Sequence, residues 1–231
     1  MSTKCAPPLI EDAMVDCRPF FIHPFFAARR LKSMKTIDYY LSPMSPWTYL
    51  GHARLAEIAG RQGATINVKP VDYGRIFPVS GGLPLSKRAP QRQAYRLAEL
   101  ARWRDHLEVP LTVQPKFFPY ESNLASRLII AADGRGSGAA LRLAGAILKA
   151  CWAEERNMAD EDELATVVRE QGLEPRGLMA AAKSDEAQAR YDELTAEAIE
   201  LQVFGAPTYV YNSELFWGQD RLEFLDRALE K

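Results

Sequence analysis

The alternation of apolar and polar residues becomes regular near residue 36. In residues 36–41 the two kinds alternate with the period of a β-strand. Residues 47–62 have helical spacing behind Pro46, a residue that the first turn of a helix tolerates. A second alternating run, residues 65–71, follows a Gly-containing stop. These segments predict a βαβ unit with parallel strands.

The middle of the chain has a different period. After the glycines and proline of residues 81–84, helical spacing recurs in consecutive segments. Helices are predicted at residues 88–107, 122–132, 138–156, 160–171 and 175–183. A further helix is predicted at residues 185–201, with one apolar face made of Ala187, Tyr191, Leu194, Ala198 and Leu201. Strands at residues 208–211 and 214–217 and a helix at residues 220–229 complete the prediction.

These patterns indicate an α/β domain in two sequence pieces. We expect residues 34–83 and 185–231 to form this domain, and residues 84–184 to form an inserted helical domain. Residues 1–33 have no regular period, and we expect a poorly ordered N-terminal extension there.

Composition limits the possible partners and compartments. The net charge of −1 gives no general attraction to nucleic acid or anionic lipid. No stretch approaches the roughly 18 apolar residues of a membrane span, and charged residues interrupt the first thirty positions, so we expect a cytoplasmic protein. The three cysteines have neither Cys-x-x-Cys nor metal-ligand spacing, and no metal site is predicted.

Ser45 is the first candidate for chemistry. It lies between the first strand and the first helix, where a thioredoxin-type redox protein has Cys-x-x-Cys. A serine there can be a helix N-cap, or its hydroxyl can stabilise the thiolate of a bound ligand. Ser42 and Thr48 are neighbouring hydroxyls that can compete for the second role.

Five motifs carry a family resemblance that spans residue 36 to the C-terminus. They are Ser45-Pro46-Trp47-Thr48-Tyr49-Leu50, Glu99-Leu100-Ala101-Arg102-Trp103, Arg190-Tyr191-Asp192, Val203-Phe204-Gly205-Ala206-Pro207-Thr208 and Trp217-Gly218-Gln219-Asp220-Arg221-Leu222. In this order they resemble the 2-hydroxychromene-2-carboxylate isomerases, which are similar to kappa-class glutathione transferases. The resemblance implies a thioredoxin-like domain of the DsbA/kappa type with an all-helical insertion.

The resemblance also implies glutathione as the cofactor. Ser45 would donate to the glutathione sulfur, and Ala206, before a cis Pro207, would pair with the tripeptide backbone. Gln219 and Asp220 would bind the γ-glutamyl group at the start of the last helix, while Arg221 would be structural. Alternatively, the proline is an ordinary trans residue that opens an edge strand, and Asp220 is only a helix cap.

The substrate implied by the resemblance is a small aromatic carboxylate. Candidates for its carboxylate are Arg75, Lys87, Arg88 and Arg92, of which one or two would bind it; for any single one of them the residue type favours a solvated surface charge. Tyr95 and Trp103 can stack on the aromatic ring or belong to a core. At the loop position aligned with Gly82, better-known members have asparagine, so this chain departs from them on the substrate side.

The implied reaction interconverts 2-hydroxychromene-2-carboxylate, or a related compound, and trans-o-hydroxybenzylidenepyruvate. A thiolate would add to the ring-opened substrate, allow rotation about the former double bond and leave again. A kappa-like transferase would keep the sulfur in the product. A DsbA-like disulfide oxidoreductase and a non-catalytic binding protein are further alternatives, and relatives suggest a homodimer.

Overall fold

The computed structural model describes Met1 and residues 34–231. Within that part of the chain, four strands form one mixed sheet in the order β2-β1-β3-β4. Their bounds are β1 (Lys35–Leu41), β2 (Ala64–Pro70), β3 (Thr208–Tyr211) and β4 (Glu214–Trp217). Strands β1 and β2 are parallel, with Ile37 opposite Ile66, whereas β3 is antiparallel to both β1 and β4. The predicted α/β organisation with a parallel first pair is confirmed.

Helices cover most of the remaining described chain. Their bounds are α1 (Pro46–Gln62), α2 (Tyr73–Ser80), α3 (Pro90–Leu107), α4 (Asn123–Ala132), α5 (Ala139–Trp152), α6 (Glu161–Glu170), α7 (Pro175–Ala182), α8 (Asp185–Glu200) and α9 (Leu222–Leu229). Short 3-10 turns lie at Leu85–Lys87 and Gln219–Arg221. The prediction of successive helices between residues 84 and 184 is confirmed, apart from small shifts of their ends. The expected poorly ordered extension, residues 1–33, lies outside the described residues except for Met1.

Four predictions about helices were wrong. Helix α2 was not predicted, because Pro78 lies inside it and glycines surround it. Helix α5 ends at Trp152 instead of residue 156, and the last helix begins at Leu222 after a 3-10 turn instead of at residue 220. Leu201 is 42% exposed, so it does not extend the apolar face of α8, whose four other predicted members are buried.

Helix α1 is held in place by close packing on the sheet and on α5. His52 of α1 contacts the Tyr39 hydroxyl of β1 through Nδ1 at 3.2 Å and the Leu141 carbonyl through Nε2 at 3.0 Å. Gly145 of α5 permits this approach, because a Cβ there would lie 2.8 Å from His52 Nε2. Burial lowers the pKa of His52 to about 4, so the ring is neutral near pH 7. The N-terminus of α1 is therefore fixed relative to the sheet.

Most buried residues of the sheet layer and of the inserted helices form one large core, and a second, smaller cluster contains Tyr40 and Ile76. Leu50 and Leu55 of α1 belong to the same cluster as Leu128 of α4, Ile147 of α5 and Leu178 of α7. The division of the chain at residues 83 and 184 stays a prediction. None of the described helices is long and apolar enough to span a bilayer.

Candidate active site

Ser45 is the N-cap of α1, which is one of the two roles considered for it from the sequence. Its Oγ accepts a hydrogen bond from the Thr48 backbone N–H at 3.2 Å, and its carbonyl accepts one from Tyr49 N–H at 3.1 Å. A hydroxyl that accepts in this way still has its own hydrogen to donate. The first turn of α1 contains no acidic residue. A thiolate near Ser45 would therefore meet a hydrogen-bond donor and the positive end of a 17-residue helix, both of which lower a thiol pKa.

The two neighbouring hydroxyls differ in their access to this site. Thr48 is fully buried, and its Oγ1 has no hydrogen-bond partner among the described residues. It is therefore not available to a ligand. The Oγ of Ser42 accepts from Met44 N–H at 3.3 Å, and Ser42 lines the same cavity as Ser45. Ser42 stays an alternative to Ser45.

The Ala206–Pro207 peptide bond is cis, as predicted. The preceding carbonyl, that of Gly205, accepts hydrogen bonds from the Tyr73 hydroxyl at 3.0 Å and from Thr208 Oγ1 at 2.7 Å. Hydrogen bonds within the described part of the chain leave both backbone polar groups of Ala206 unused. Both groups can pair with an extended ligand, in the manner of an added strand.

The turn at Gln219 and Asp220 is held against α1. The Gln219 side chain is buried and accepts from Arg54 Nη1 at 2.9 Å. Gly51 allows the close approach, because a Cβ there would lie 2.8 Å from Gln219 Cβ. Gln219 therefore positions the turn through its side chain and can contact a ligand only through its backbone. Asp220 is exposed and pairs with Arg221 at 2.6 Å, so its carboxylate is accessible to a second cation.

Two adjoining cavities meet at this site. The large cavity has a volume of about 1020 Å³ and is lined by Ser45 and Phe77, among others. The small cavity, about 680 Å³, is lined by Gln219 and Asp220. Residues that line both are Trp47, Arg88, Arg92, Arg96, Ala206 and Trp217. The sizes suit a small ligand in each cavity.

The arginine row, Arg88, Arg92 and Arg96, lies between the two cavities at intervals of four residues. No ion pair within residues 34–231 involves any of the three. Burial, followed by the charge of Arg88, lowers the pKa of Arg96 to about 10. Burial, followed by the charge of Arg92, also lowers the pKa of Arg88. A row of cations with no carboxylate partner favours an anionic ligand.

Of the other predicted substrate residues, two line neither cavity and two line only the small cavity. Arg75 forms an exposed ion pair with Asp192 at 2.6 Å and lines neither cavity, so it does not join the arginine row. Lys87 also lines neither cavity. Tyr95 and Trp103 line the small cavity and not the large one.

The sequence reasoning missed several lining residues, among them Trp47, Arg96, Tyr73 and Phe77. Trp47 was noted only as part of a motif, although it lines both cavities. Arg96 continues the four-residue spacing of the row, and that spacing was a usable signal. Tyr73 and Phe77 lie on α2, which was not predicted as a helix. No signal in the sequence pointed to these two.

Cys151 is the single cysteine among the described residues, and it is buried in the core. Burial raises the pKa of its thiol to about 12. A buried, protonated thiol does not act as a nucleophile at neutral pH. Residues 34–231 therefore hold no reactive thiol of their own beside Ser45.

The comparisons with known proteins agree with this geometry. The model of the DSBA-like thioredoxin domain family matches residues 36–230. The chain is 31% identical over 196 residues to 2-hydroxychromene-2-carboxylate isomerase of Sphingobium xenophagum, covering 84% of this chain and 98% of that protein. It is 31% identical over 195 residues to the enzyme of that name from Pseudomonas putida, covering 84% and 93%.

A solved structure gives the same result. The structure of a 2-hydroxychromene-2-carboxylate isomerase superposes with a TM-score of 0.71 at 30% identity, covering 84% of this chain and 94% of that one. The fold and family expected from the five motifs are thereby confirmed. The chain belongs to the DSBA-like thioredoxin family and, within it, to the family of the 2-hydroxychromene-2-carboxylate isomerases.

Proposed function

We propose that this protein is a glutathione-dependent isomerase of 2-hydroxychromene-2-carboxylate or a related aromatic acid. The observation that carries the proposal is the position of Ser45, a hydroxyl donor at the N-terminus of α1, in a cavity that three arginines also line. The names of the relatives support an isomerase activity. The cofactor is inferred from the residues of the site.

The residues around Ser45 fit glutathione. The Ser45 hydroxyl can donate to the sulfur, and the free backbone groups of Ala206 can pair with the cysteinyl backbone. In the small cavity, the exposed Asp220 carboxylate can accept from the γ-glutamyl ammonium. The first N–H groups of the Gln219 turn have no partner within a helical turn, which suits the γ-glutamyl carboxylate.

The substrate would occupy the large cavity. Its carboxylate would bind the arginine row, where Arg92 is exposed enough for the ligand to reach and Arg96 is half-buried. Partial burial strengthens an ionic hydrogen bond, because water screens it less. The aromatic body would contact the apolar walls supplied by Phe77 and Phe118. These contacts would orient the reacting carbon beside Ser45.

When bound, glutathione would supply a thiolate nucleophile. Glutathione itself would be released unchanged at the end of the reaction. Ser45 would hold that sulfur ionised near pH 7, because its hydroxyl can donate a hydrogen bond to the sulfur while its Oγ accepts one from Thr48 N–H. The arginine row would fix the carboxylate end of the substrate while the remainder of the molecule rotates. The chain's own residues thus bind, orient and stabilise charge.

The alternative functions differ in measurable ways from this proposal, and one of them has little support. A disulfide oxidoreductase needs a reactive cysteine, and Cys151, the single cysteine of residues 34–231, is buried. A transferase would use the same sulfur but retain it in the product. A binding protein would take up glutathione without turnover.

The test combines turnover with an account of glutathione. Purified full-length protein is incubated with 2-hydroxychromene-2-carboxylate, with and without reduced glutathione, and the absorbance of the ring-opened product is followed. We expect turnover that requires glutathione and leaves its concentration unchanged at completion. Stoichiometric loss of glutathione would indicate a transferase, and tight glutathione binding without turnover would indicate a binding protein. Either result would refute the proposed isomerase.

A further inference from the structure

At Gly82 the backbone conformation does not require glycine, but the packing of the neighbouring side chains does. Its neighbour Gly81 has a left-handed backbone with φ of 75°, a conformation that favours glycine, whereas Gly82 does not have a positive φ. A Cβ at Gly82 would nevertheless collide with Phe77, because it would lie 2.9 Å from Cγ and 3.1 Å from Cε1 of the ring and against Cδ1. The Phe77 ring thus occupies the space that a side chain at position 82 would need.

The other side of Phe77 is also fixed. Its ring centroid lies 5.6 Å from that of Tyr73, at an interplanar angle of 49°. Tyr73 is itself buried, and its hydroxyl donates to the Gly205 carbonyl. Phe77 therefore lies between Gly82 and the buried Tyr73 ring, and Phe77, which is half-buried, also lines the large cavity.

We propose that the pair Phe77 and Gly82 determines which aromatic acids the large cavity accepts. With the carboxylate on the arginine row, the aromatic body of the ligand contacts a flat apolar wall. The Phe77 ring offers no hydrogen bond, and the Tyr73 hydroxyl behind it already donates its hydrogen to Gly205. A polar group on the part of the ligand ring that rests on Phe77 would lose its water without a replacement partner. The Phe77 wall therefore favours acids whose ring is unsubstituted or purely apolar where it rests on Phe77, at the end remote from the carboxylate.

This inference rests on the proposed function, since it names the class of acid that the same site takes. It also identifies a specificity-determining pair. Gly82 is coupled to Phe77, because any larger side chain at 82 would displace the ring. The two positions are expected to behave as one unit when they are changed.

Binding of two unreactive acids tests the inference without catalysis. Cinnamate and 4-hydroxycinnamate differ by one hydroxyl at the far end of the ring, and isothermal titration gives the Kd of each for the full-length protein. We expect the wild type to bind cinnamate about tenfold more tightly. Phe77→Gln should bring the ratio close to one, because its amide can pair with the hydroxyl. Phe77→Leu should keep the ratio while weakening the binding of both acids.

Changes at glycine positions complete the experiment. Gly82→Ala should weaken cinnamate binding severalfold, since its methyl group displaces the ring. Gly60→Ala is the matched control, because no atom lies within 4 Å of its added Cβ, and its binding should equal that of the wild type. Thermal melts of each variant check that it is folded.

Three results would overturn the inference: equal affinity of the wild type for both acids, no change of the ratio in Phe77→Gln, or binding of neither acid. The outcome of the isomerase assay does not depend on these binding results. A protein that shows the tenfold ratio but no turnover would refute the proposed function and keep the specificity pair. An active isomerase that binds both acids equally would support the proposed function and refute the specificity pair.

Discussion

The two cavities share the arginine row but differ in the other groups that they offer. Where they meet, and at the Gln219 turn of the small cavity, backbone groups of Ala206 and of the turn lie near the N-terminus of α1. The large cavity adds a wall of α2 side chains, of which Phe77 is the example. Backbone groups keep their positions as long as the sheet and α1 do. Side-chain walls can change with one substitution.

The difference indicates how the two ligands would be divided. A cofactor that pairs with backbone groups is recognised by the fold itself, and many sequences can provide that recognition. A substrate held by an arginine row and an aromatic ring is recognised only by particular residues. We therefore expect changes in the small cavity to alter glutathione binding, and changes in the large cavity to alter the choice of acid.

The largest effect is expected at Ser45, which both ligands share. Ser45→Ala should lower kcat/KM at pH 7 by about 100-fold, because the thiolate loses its hydrogen-bond donor. It should also cost about 1 kcal/mol of unfolding free energy, because the cap to Thr48 is lost. Ser45→Asp keeps a cap but places a negative charge beside the sulfur, so we expect it to be inactive without that loss of stability.

Ser184 provides the matched control for the Ser45 variants. It caps α8 in the same way, with its Oγ accepting from Ala187 N–H at 3.3 Å, and it lines neither cavity. Ser184→Ala should lose about 1 kcal/mol in urea unfolding and keep full activity. An active Ser45→Asp variant would mean that Ser45 is a structural cap, and Ser42 would then be the next residue to change.

The next largest effect tests the scaffold of the small cavity. Gly51→Ala should cost about 1–3 kcal/mol of unfolding free energy, because its Cβ would lie 2.8 Å from both Gln219 Cβ and the Tyr209 hydroxyl. It should also weaken glutathione binding, since the Gln219 turn must move away from α1. Gly60→Ala, in the same helix, should be neutral or stabilising by up to about 1 kcal/mol. Urea unfolding and glutathione titration measure both quantities, and equal behaviour of the two variants would contradict the prediction.

Sequence reasoning was more successful on the backbone side of this comparison. Ser45, Ala206 and Asp220 lie in short motifs next to strands and helix starts, and the structure places them around the adjoining cavities. These motifs are local, so a single sequence contains them. Gln219 was expected at the ligand, but its side chain is used by Arg54, a contact between residues 165 positions apart. Spacing along the chain does not reveal such a contact.

The side-chain walls were predicted only in part. Arg88 and Arg92 line the cavities as expected. Arg75 instead forms an ion pair with Asp192 at 2.6 Å. Asp192 belongs to α8 and comes close to Arg75 only in the folded chain. Phe77 was missed because Pro78 and the nearby glycines are unfavourable to a helix, yet α2 forms with Asp72 as its cap. Tertiary contacts outweigh local propensity in α2.

A smaller effect separates the arginine row from ordinary surface charge. Arg92→Gln should raise the KM for the acidic substrate about tenfold and leave the Kd of glutathione nearly unchanged, because it removes one ionic hydrogen bond to the carboxylate. Arg75→Gln is the control, since its exposed pair with Asp192 contributes little and lies outside both cavities. Steady-state kinetics at fixed glutathione concentration measure both variants. The same KM in both would mean that the row does not bind the substrate.

The smallest effect is expected at Asp220, the exposed carboxylate of the small cavity next to the Gln219 turn. Asp220→Asn should raise the Kd of glutathione about fivefold, because an exposed ion pair with the γ-glutamyl ammonium is worth about 1 kcal/mol or less. The melting temperature should not change, since the partner Arg221 is itself exposed. Glu223→Gln, an exposed carboxylate on α9 outside both cavities, should leave the Kd as it is. If Asp220→Asn changes the KM for the acid and not the Kd of glutathione, the assignment of the two cavities to the two ligands is reversed.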